Sequence, residues 1–235
     1  MGVTERRQRE KVERREAILN AAERVLSRRG LSTATMEEVA HEAELSKGAL
    51  YLYFSGKDEL FVGVARRALD DLERKLGEVS RDGGDSTGLD LVAALLETYA
   101  AVAAEQGQRF RAAMSWLGSD HSVPDATPGF AEYREGVLRL VDLAVQAISR
   151  GQEDGSIRSD LKALELAVQL WAAALGVLTV RSNAGEVRRR LPPAVNVEHL
   201  LQGFVALMVR GLGVGSDQAI GSSVGTNRSP RNEAS

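Results

Sequence analysis

The chain has 235 residues, 43% of them hydrophobic, and a formal net charge of −3. That length supports one large domain or two smaller ones sharing a core, and the balanced charge excludes a globally basic protein, so any nucleic-acid affinity must come from local charge placement. The absence of cysteine excludes disulfides and thiolate metal sites and fits a reducing cytoplasm.

The N-terminus is rich in Arg, Lys and Glu and lacks the apolar stretch of a signal peptide. Residues 1–11, with Arg6, Arg7, Arg9 and Lys11, are expected to form a flexible basic arm able to reach a DNA groove or backbone. Glu10 and Glu13 leave open a solvated, charge-alternating helix extension. Periodicity is helical almost everywhere and no run reads as a β-branched strand, so an all-α fold is expected. The first helix spans residues 12–28, with Ile18, Ala22, Val25 and Leu26 on one face and Gly30 as its stop. The sequence TMEE from Thr35 is a capping box that opens a second helix with Met36, Val39, Ala40 and Ala43 inward. A third helix runs from Ser46 to about Phe54. A fourth starts at Ser55, where SGKD reads as another capping box, and continues to Leu76.

The stretch SRDGGDSTG (residues 80–88) is a polar, glycine-rich break. Longer helices are expected over 89–105, 108–117, 130–150, 161–181 and 195–212. Residues 119–129, with two prolines, form a connector or lid, and GQEDGSIRSD (151–160) is a turn that stops one helix and caps the next. Residues 213–235 are rich in Gly, Ser and Asn, lack apolar periodicity and are expected to be disordered. The organisation expected is thus an arm (1–11), a three-helix helix-turn-helix domain (12–63), a larger helical effector-binding and dimerisation domain (64–212) and a tail.

Helices two and three with their tight turn match a helix-turn-helix, in which the second helix enters the major groove. Residues 45–54 carry one cation, Lys47, and no carboxylate. Gly48 and Ala49 keep the first turn thin for close approach to DNA, and the Ala49 methyl is able to meet a thymine methyl. Tyr51 and Tyr53 offer hydroxyls to phosphate oxygens while Leu50 and Phe54 point inward. Lys57 is a further phosphate candidate. The first 63 residues hold equal numbers of basic and acidic side chains, so Glu37, Glu38 and Glu42 must face away from DNA. An ordinary helical hairpin with amphipathic surface tyrosines is the plainer reading. Two capping boxes, a carboxylate-free third helix and the YLYF element favour DNA.

The pattern TMEEVAHEAELSKGALYLYFSGKDELF resembles the signature of the TetR (tetracycline-repressor) family of bacterial transcription factors. The resemblance implies an all-helical homodimer that binds double-stranded operator DNA N-terminally and a small effector C-terminally. It implies DNA contacts at Thr35, Ser46, Lys47, Gly48, Ala49, Tyr51, Tyr53 and Lys57. Glu44 stands where the family often has a turn glycine, and Ala49 where threonine is frequent.

Residues 161–181 are apolar on more than one face, as a helix between its own core and a partner subunit would be. A four-helix dimer interface is expected, with Leu164, Trp171, Leu175, Leu178, Leu201, Phe204, Val205 and Met208 as candidates. Tyr99, Phe110, Met114, Trp116, His121, Tyr133 and Trp171 are candidates for an apolar effector pocket, against the commoner fate of aromatics as core filling. Three widely spaced histidines, with no metal motif and no phosphate-binding glycine loop, assemble no catalytic or metal site. No cofactor is expected, and no membrane association. The sequence therefore reads as a cytoplasmic, ligand-responsive DNA-binding repressor rather than an enzyme.

Overall fold

The structure, a computed structural model, describes residues 3–30, 32–107, 109, 110, 113, 122–182, 189, 190, 192 and 199–214. Among these residues the fold is all-α, with eight helices: α1 (Val3–Arg29), α2 (Met36–Glu42), α3 (Lys47–Tyr51), α4 (Lys57–Asp82), α5 (Gly88–Gln106), α6 (Phe130–Glu153), α7 (Ala163–Ser182) and α8 (Leu200–Leu212).

Helix α1 begins at Val3 rather than at residue 12, so the described part of the expected arm is helical. No glycine or proline interrupts residues 3–29, and Arg6 pairs with Glu10 one turn on at 3.6 Å, so nothing stops propagation towards the N-terminus. Gly30, at φ +77°, ends the helix as its sequence position requires. The TMEE box forms: the Thr35 hydroxyl accepts from the Glu38 amide at 3.2 Å, and Glu38 accepts from the Thr35 amide at 3.0 Å. The SGKD box does not form. Helix α4 starts two residues later than expected, with Gly56 as a cap that has no side chain to give. Ser55 instead donates its amide and hydroxyl to Glu59, at 2.8 and 2.9 Å.

Three clusters of core follow. The first joins Ile18, Ala22, Val25 and Leu26 of α1 to Met36, Val39 and Ala40 of α2, Leu50 and Phe54 around α3, and Leu60 to Ala68 of α4. The second and third lie among the C-terminal half of α4 and helices α5, α6, α7 and α8. Helix α4 is continuous across residues 63 and 64, the expected domain boundary, and its Val64, Ala65 and Ala68 belong to the first core.

The turn at 151–160 does more than cap the next helix. Asp154 accepts from the Gly88 amide at 2.7 Å and Ser156 from the Leu89 amide at 3.1 Å, which closes the N-terminus of α5 from across the fold. Arg150 donates to the carbonyls of Gly83, Gly84 and Ser86. Buried Ile157 pairs with Gly213 next to the end of α8. The α5–α6 crossing there is backbone on backbone: a Cβ on Gly88 would sit 2.0 Å from the Gly151 nitrogen. Gly88→Ala is expected to destabilise the chain by about 1–3 kcal/mol or more through overpacking, measured as a lower midpoint in urea with native helicity at zero denaturant.

Candidate nucleic-acid interface

The turn between α2 and α3 is built by paired backbone hydrogen bonds. The Glu44 amide donates to His41 at 3.1 Å and the Leu45 amide to Ala40 at 2.8 Å, the two bonds of a Schellman motif. Its left-handed position is Glu44 itself, at φ 55°, the one non-glycine residue with positive φ among those described. A side chain there costs about 1–2 kcal/mol. Ser46 caps α3 by accepting from the Ala49 amide at 3.1 Å. Leu50 is fully buried and Phe54 nearly so, which fixes the rotation of α3 and turns its other face outward.

That outer face carries Ser46, Lys47, Gly48 and Tyr51, with Thr35 exposed at the start of α2. The Ser46 oxygen accepts from its cap amide and keeps a proton to donate, whereas the Thr35 hydroxyl accepts from the Glu38 amide and donates to the Glu38 carboxylate at 3.3 Å. Ala49 and Lys57 are half-buried, and Lys57 donates to the Ser32 carbonyl at 3.2 Å. Tyr53 is half-buried and packs against the first core, so its ring is less available than that of Tyr51, which is 44% exposed. Leu52 was not singled out in the sequence, yet it is 80% exposed beside Tyr51. Its signal was there to read: with Leu50 and Phe54 inward, the residue between Tyr51 and Tyr53 has to point out.

Two of the three nearby acids are held back from this face by α1. Glu42 binds Arg24 and Arg28, each at 2.6 Å, and these two bonds hold its carboxyl below the usual range. Glu38 is held low first by the Thr35 amide and then by Arg29 at 2.9 Å. Glu37 is different. It hydrogen-bonds Lys47, which lowers the carboxyl and raises the ammonium, and both side chains are more than half exposed. Around Gly48 there is no atom of the chain that a Cβ would meet, so internal packing does not explain a glycine inside a helix.

The effector candidates divide. Tyr99 and Phe110 meet edge to face with centroids 6.3 Å apart, both buried, and the Trp171 indole N–H donates to the Tyr99 hydroxyl. Burial pushes Tyr99 up to about 12 against the opposing effect of that bond, and burial also pushes Tyr133 up to about 12. Tyr133 stacks on Phe130 and packs against the first core. Met114, Trp116 and His121 lie outside the described residues. Open grooves occur elsewhere, one of about 390 Å³ between residues 55–59 and 124–128 and one of about 560 Å³ along Val25, Arg28 and His41.

Of the interface candidates, Leu164 and Trp171 are exposed at 57% and 42%, whereas Leu178 and Val205 are buried in the chain's own core and offer no surface. The period of α7 puts Leu178 on the same side as Leu170 and Ala174, facing inward. Leu175, Phe204 and Met208 are half-buried, and Leu201 lies in α8. Exposed Val168 and Leu207 join this surface and were not among the candidates.

The two bodies meet through contacts with no signature in the sequence. Arg109 donates to Glu23 of α1 at 2.9 Å and to Asp71 of α4 at 2.8 Å, while Arg67 reaches the same Glu23 at 2.9 Å. Ala113 and Val123 are buried in the first core. Replacing Glu44 by Gly relieves the left-handed backbone and is expected to stabilise the chain by about 0.5–1 kcal/mol after the entropy of the added glycine is counted, read as a raised denaturation midpoint with an unchanged m-value.

A family model described as bacterial regulatory proteins, tetR family, matches residues 18–64. The chain is 41% identical over 66 residues to the uncharacterised HTH-type transcriptional regulator YfiR of Bacillus subtilis (strain 168), covering 28% of this chain and 32% of that one. It is 28% identical over 148 residues to the HTH-type transcriptional repressor KstR2 of Rhodococcus jostii (strain RHA1), covering 63% of this chain and 70% of that one. The crystal structure of AibR in complex with isovaleryl coenzyme A and operator DNA superposes with a TM-score of 0.64 at 16% identity, over 85% of this chain and 98% of that one. The helix-turn-helix thus lies inside the segment that matches the tetR family model, and the all-helical architecture resembles that of the solved structure named.

Proposed function

We propose that the chain is a ligand-responsive transcriptional regulator, acting as a dimeric repressor that binds a pseudo-palindromic operator and is released by a small apolar or amphipathic effector. The observation that carries the DNA reading is Gly48. It is exposed, sits inside α3, leaves open space where a Cβ would stand among the described residues, and is flanked by exposed Ser46, Lys47 and Tyr51. Glycine in a helix costs about 0.5–1 kcal/mol relative to alanine, and a surface that must admit a phosphate backbone or base edge gives that cost a reason. The contacts assigned are Thr35, Ser46, Lys47, Gly48, Ala49, Tyr51 and Lys57, with Tyr53 a lesser one and Leu52 an added apolar reader. Residues 3–29 supply α1, the first 60-odd residues the reading head, and the remainder the effector-binding and dimerising body.

A second copy of the chain covers the exposed apolar surface of α7 and α8. Leu164, Val168, Trp171 and Leu207 stand open there, and small Ala172, Ala173 and Gly176 allow helices to approach closely. Two reading heads then lie about one DNA turn apart, ~34 Å. The effector site lies near Tyr99, Phe110, Tyr133 and Trp171, where a buried hydroxyl offers a polar handle in an apolar setting. AibR, with its acyl-coenzyme A, supports an amphipathic ligand. A ligand favouring a different setting of α4 and Arg109 lowers DNA affinity by its preference for that state. The relatives named are described as regulators, which supports a non-enzymatic, cytoplasmic role.

Gly48→Ala is expected to raise stability by about 0.5–1 kcal/mol while weakening DNA binding, and Tyr51→Ala to weaken binding with stability unchanged. Footprinting upstream of the chain's own gene, paired with urea melts, checks both; unchanged binding in the two variants would overturn the assignment. Leu207→Glu is expected to shift the chain from dimer to monomer in sedimentation, since a carboxylate buried against apolar surface is strongly disfavoured.

A further inference from the structure

Arg15 lies in α1, outside the helix-turn-helix and apart from the surface assigned to DNA. Its guanidinium makes three contacts at once. Nη1 donates to the Tyr53 carbonyl at 2.7 Å. Nη1 and Nη2 each lie 3.3 Å from Glu59 Oε1. The central carbon sits 4.0 Å from the centroid of the Phe54 ring. Glu59 spends its other oxygen on the Ser55 amide and hydroxyl, at 2.8 and 2.9 Å. One side chain thus ties Tyr53 and Phe54 of the link from α3 to α4 to Glu59 of α4, and Glu59 in turn holds Ser55.

The mechanical meaning follows from where that link sits. Helix α3 has five residues and ends at Tyr51, so its own hydrogen bonds do little to fix its direction. Its N-terminal end is held by the Ser46 cap and its middle by buried Leu50. The other end carries Tyr51 and Leu52, both exposed, and the Tyr53 carbonyl lies past the last helical turn. A charge-assisted hydrogen bond to that carbonyl, an ion pair and a ring contact converge there. Together they restrain one short segment from three directions. Lysine cannot replace them, because only a planar fork donates in two directions while lying on a ring.

We propose that Arg15 is a positioning residue for sequence reading: it holds the C-terminal end of α3 so that Tyr51 and Leu52 meet the bases and phosphates of one register. This rests on the DNA-binding reading above. Arg15 acts through the link and not by touching phosphate, since Glu59, 11% exposed, already neutralises it.

The test uses a duplex selected from a random pool by the full wild-type chain, with poly(dI-dC) as the non-specific competitor. Affinity for each is measured across a salt series for wild type, Arg15→Gln and Arg15→Lys, and folding is followed by melting temperature. Arg15→Gln is expected to lose about tenfold or more in affinity for the selected duplex, the size of one good base contact. Its affinity for poly(dI-dC) and its slope of log K against log salt stay at the wild-type values. Arg15→Lys recovers only part of the loss. If Arg15→Gln does not fold, the same pattern in Arg15→Lys carries the proposal. A slope reduced by about 0.9 on both DNAs would make Arg15 a direct phosphate contact and overturn it, as would an unchanged specificity ratio in a folded variant. A wild-type chain that selects no duplex overturns the DNA-binding reading itself, a result distinct from either of these.

Discussion

Helix α4 is the constraint on which the rest of the molecule depends, because one stiff rod is gripped by two cores. Its first half, from Leu60 to Ala68, closes the bundle formed with α1, α2 and α3; further along, Leu69, Leu72 and Leu76 turn to α5 and α6. A Cβ at Gly136 of α6 would lie 2.5 Å from Leu69, so α6 crosses at a distance that leaves no slack. A helix 26 residues long holds its backbone ladder throughout. Its first turn, at Lys57, and its second half, packed on α5 and α6, belong to one uninterrupted helix.

The ion cluster at Glu23 adds a second link beside that rod. Arg67 of α4 and Arg109 of the C-terminal body share one carboxylate that is almost fully buried. Loss of Glu23 would leave Arg67 with Glu16 and Arg109 with Asp71, and would sever the link between them. Val123 and Ala113, buried in the N-terminal core, act in the same direction through packing. Residues beyond α5 thus contribute structural parts to the first core.

What could be read from the sequence was what local chemistry decides. The TMEE box, the Gly30 stop, the inward Leu50 and Phe54 and the helical class all follow from residues within one or two turns of each other. The reach of α1 was ambiguous for a physical reason: alternating Arg and Glu suits a solvated helix and a loose arm equally well. At SGKD the local signal was real but outcompeted, since Glu59 offers Ser55 a carboxylate already held by Arg15. Leu178 and Val205 were misjudged because an apolar helix does not reveal from composition which of its two faces meets its own core. Asp154 caps a helix that begins 66 residues earlier, and Arg15 and Arg109 act across 38 or more. Pairings of that span are products of topology and carry no spacing to recognise.

On the DNA-binding reading proposed above, the Lys47–Glu37 pair bears on how the chain meets DNA of random sequence. A lysine facing open solvent sheds a counterion when it meets any phosphate, and that release drives non-specific binding. Lys47 carries its counterion as part of the chain. Swapping Glu37 for a phosphate liberates nothing into solution and leaves a carboxylate beside a polyanion. The exchange is therefore less favourable than for a lysine with no partner in the chain. On that reading the pair, more than half exposed on both sides, lowers what Lys47 adds to binding on random sequence.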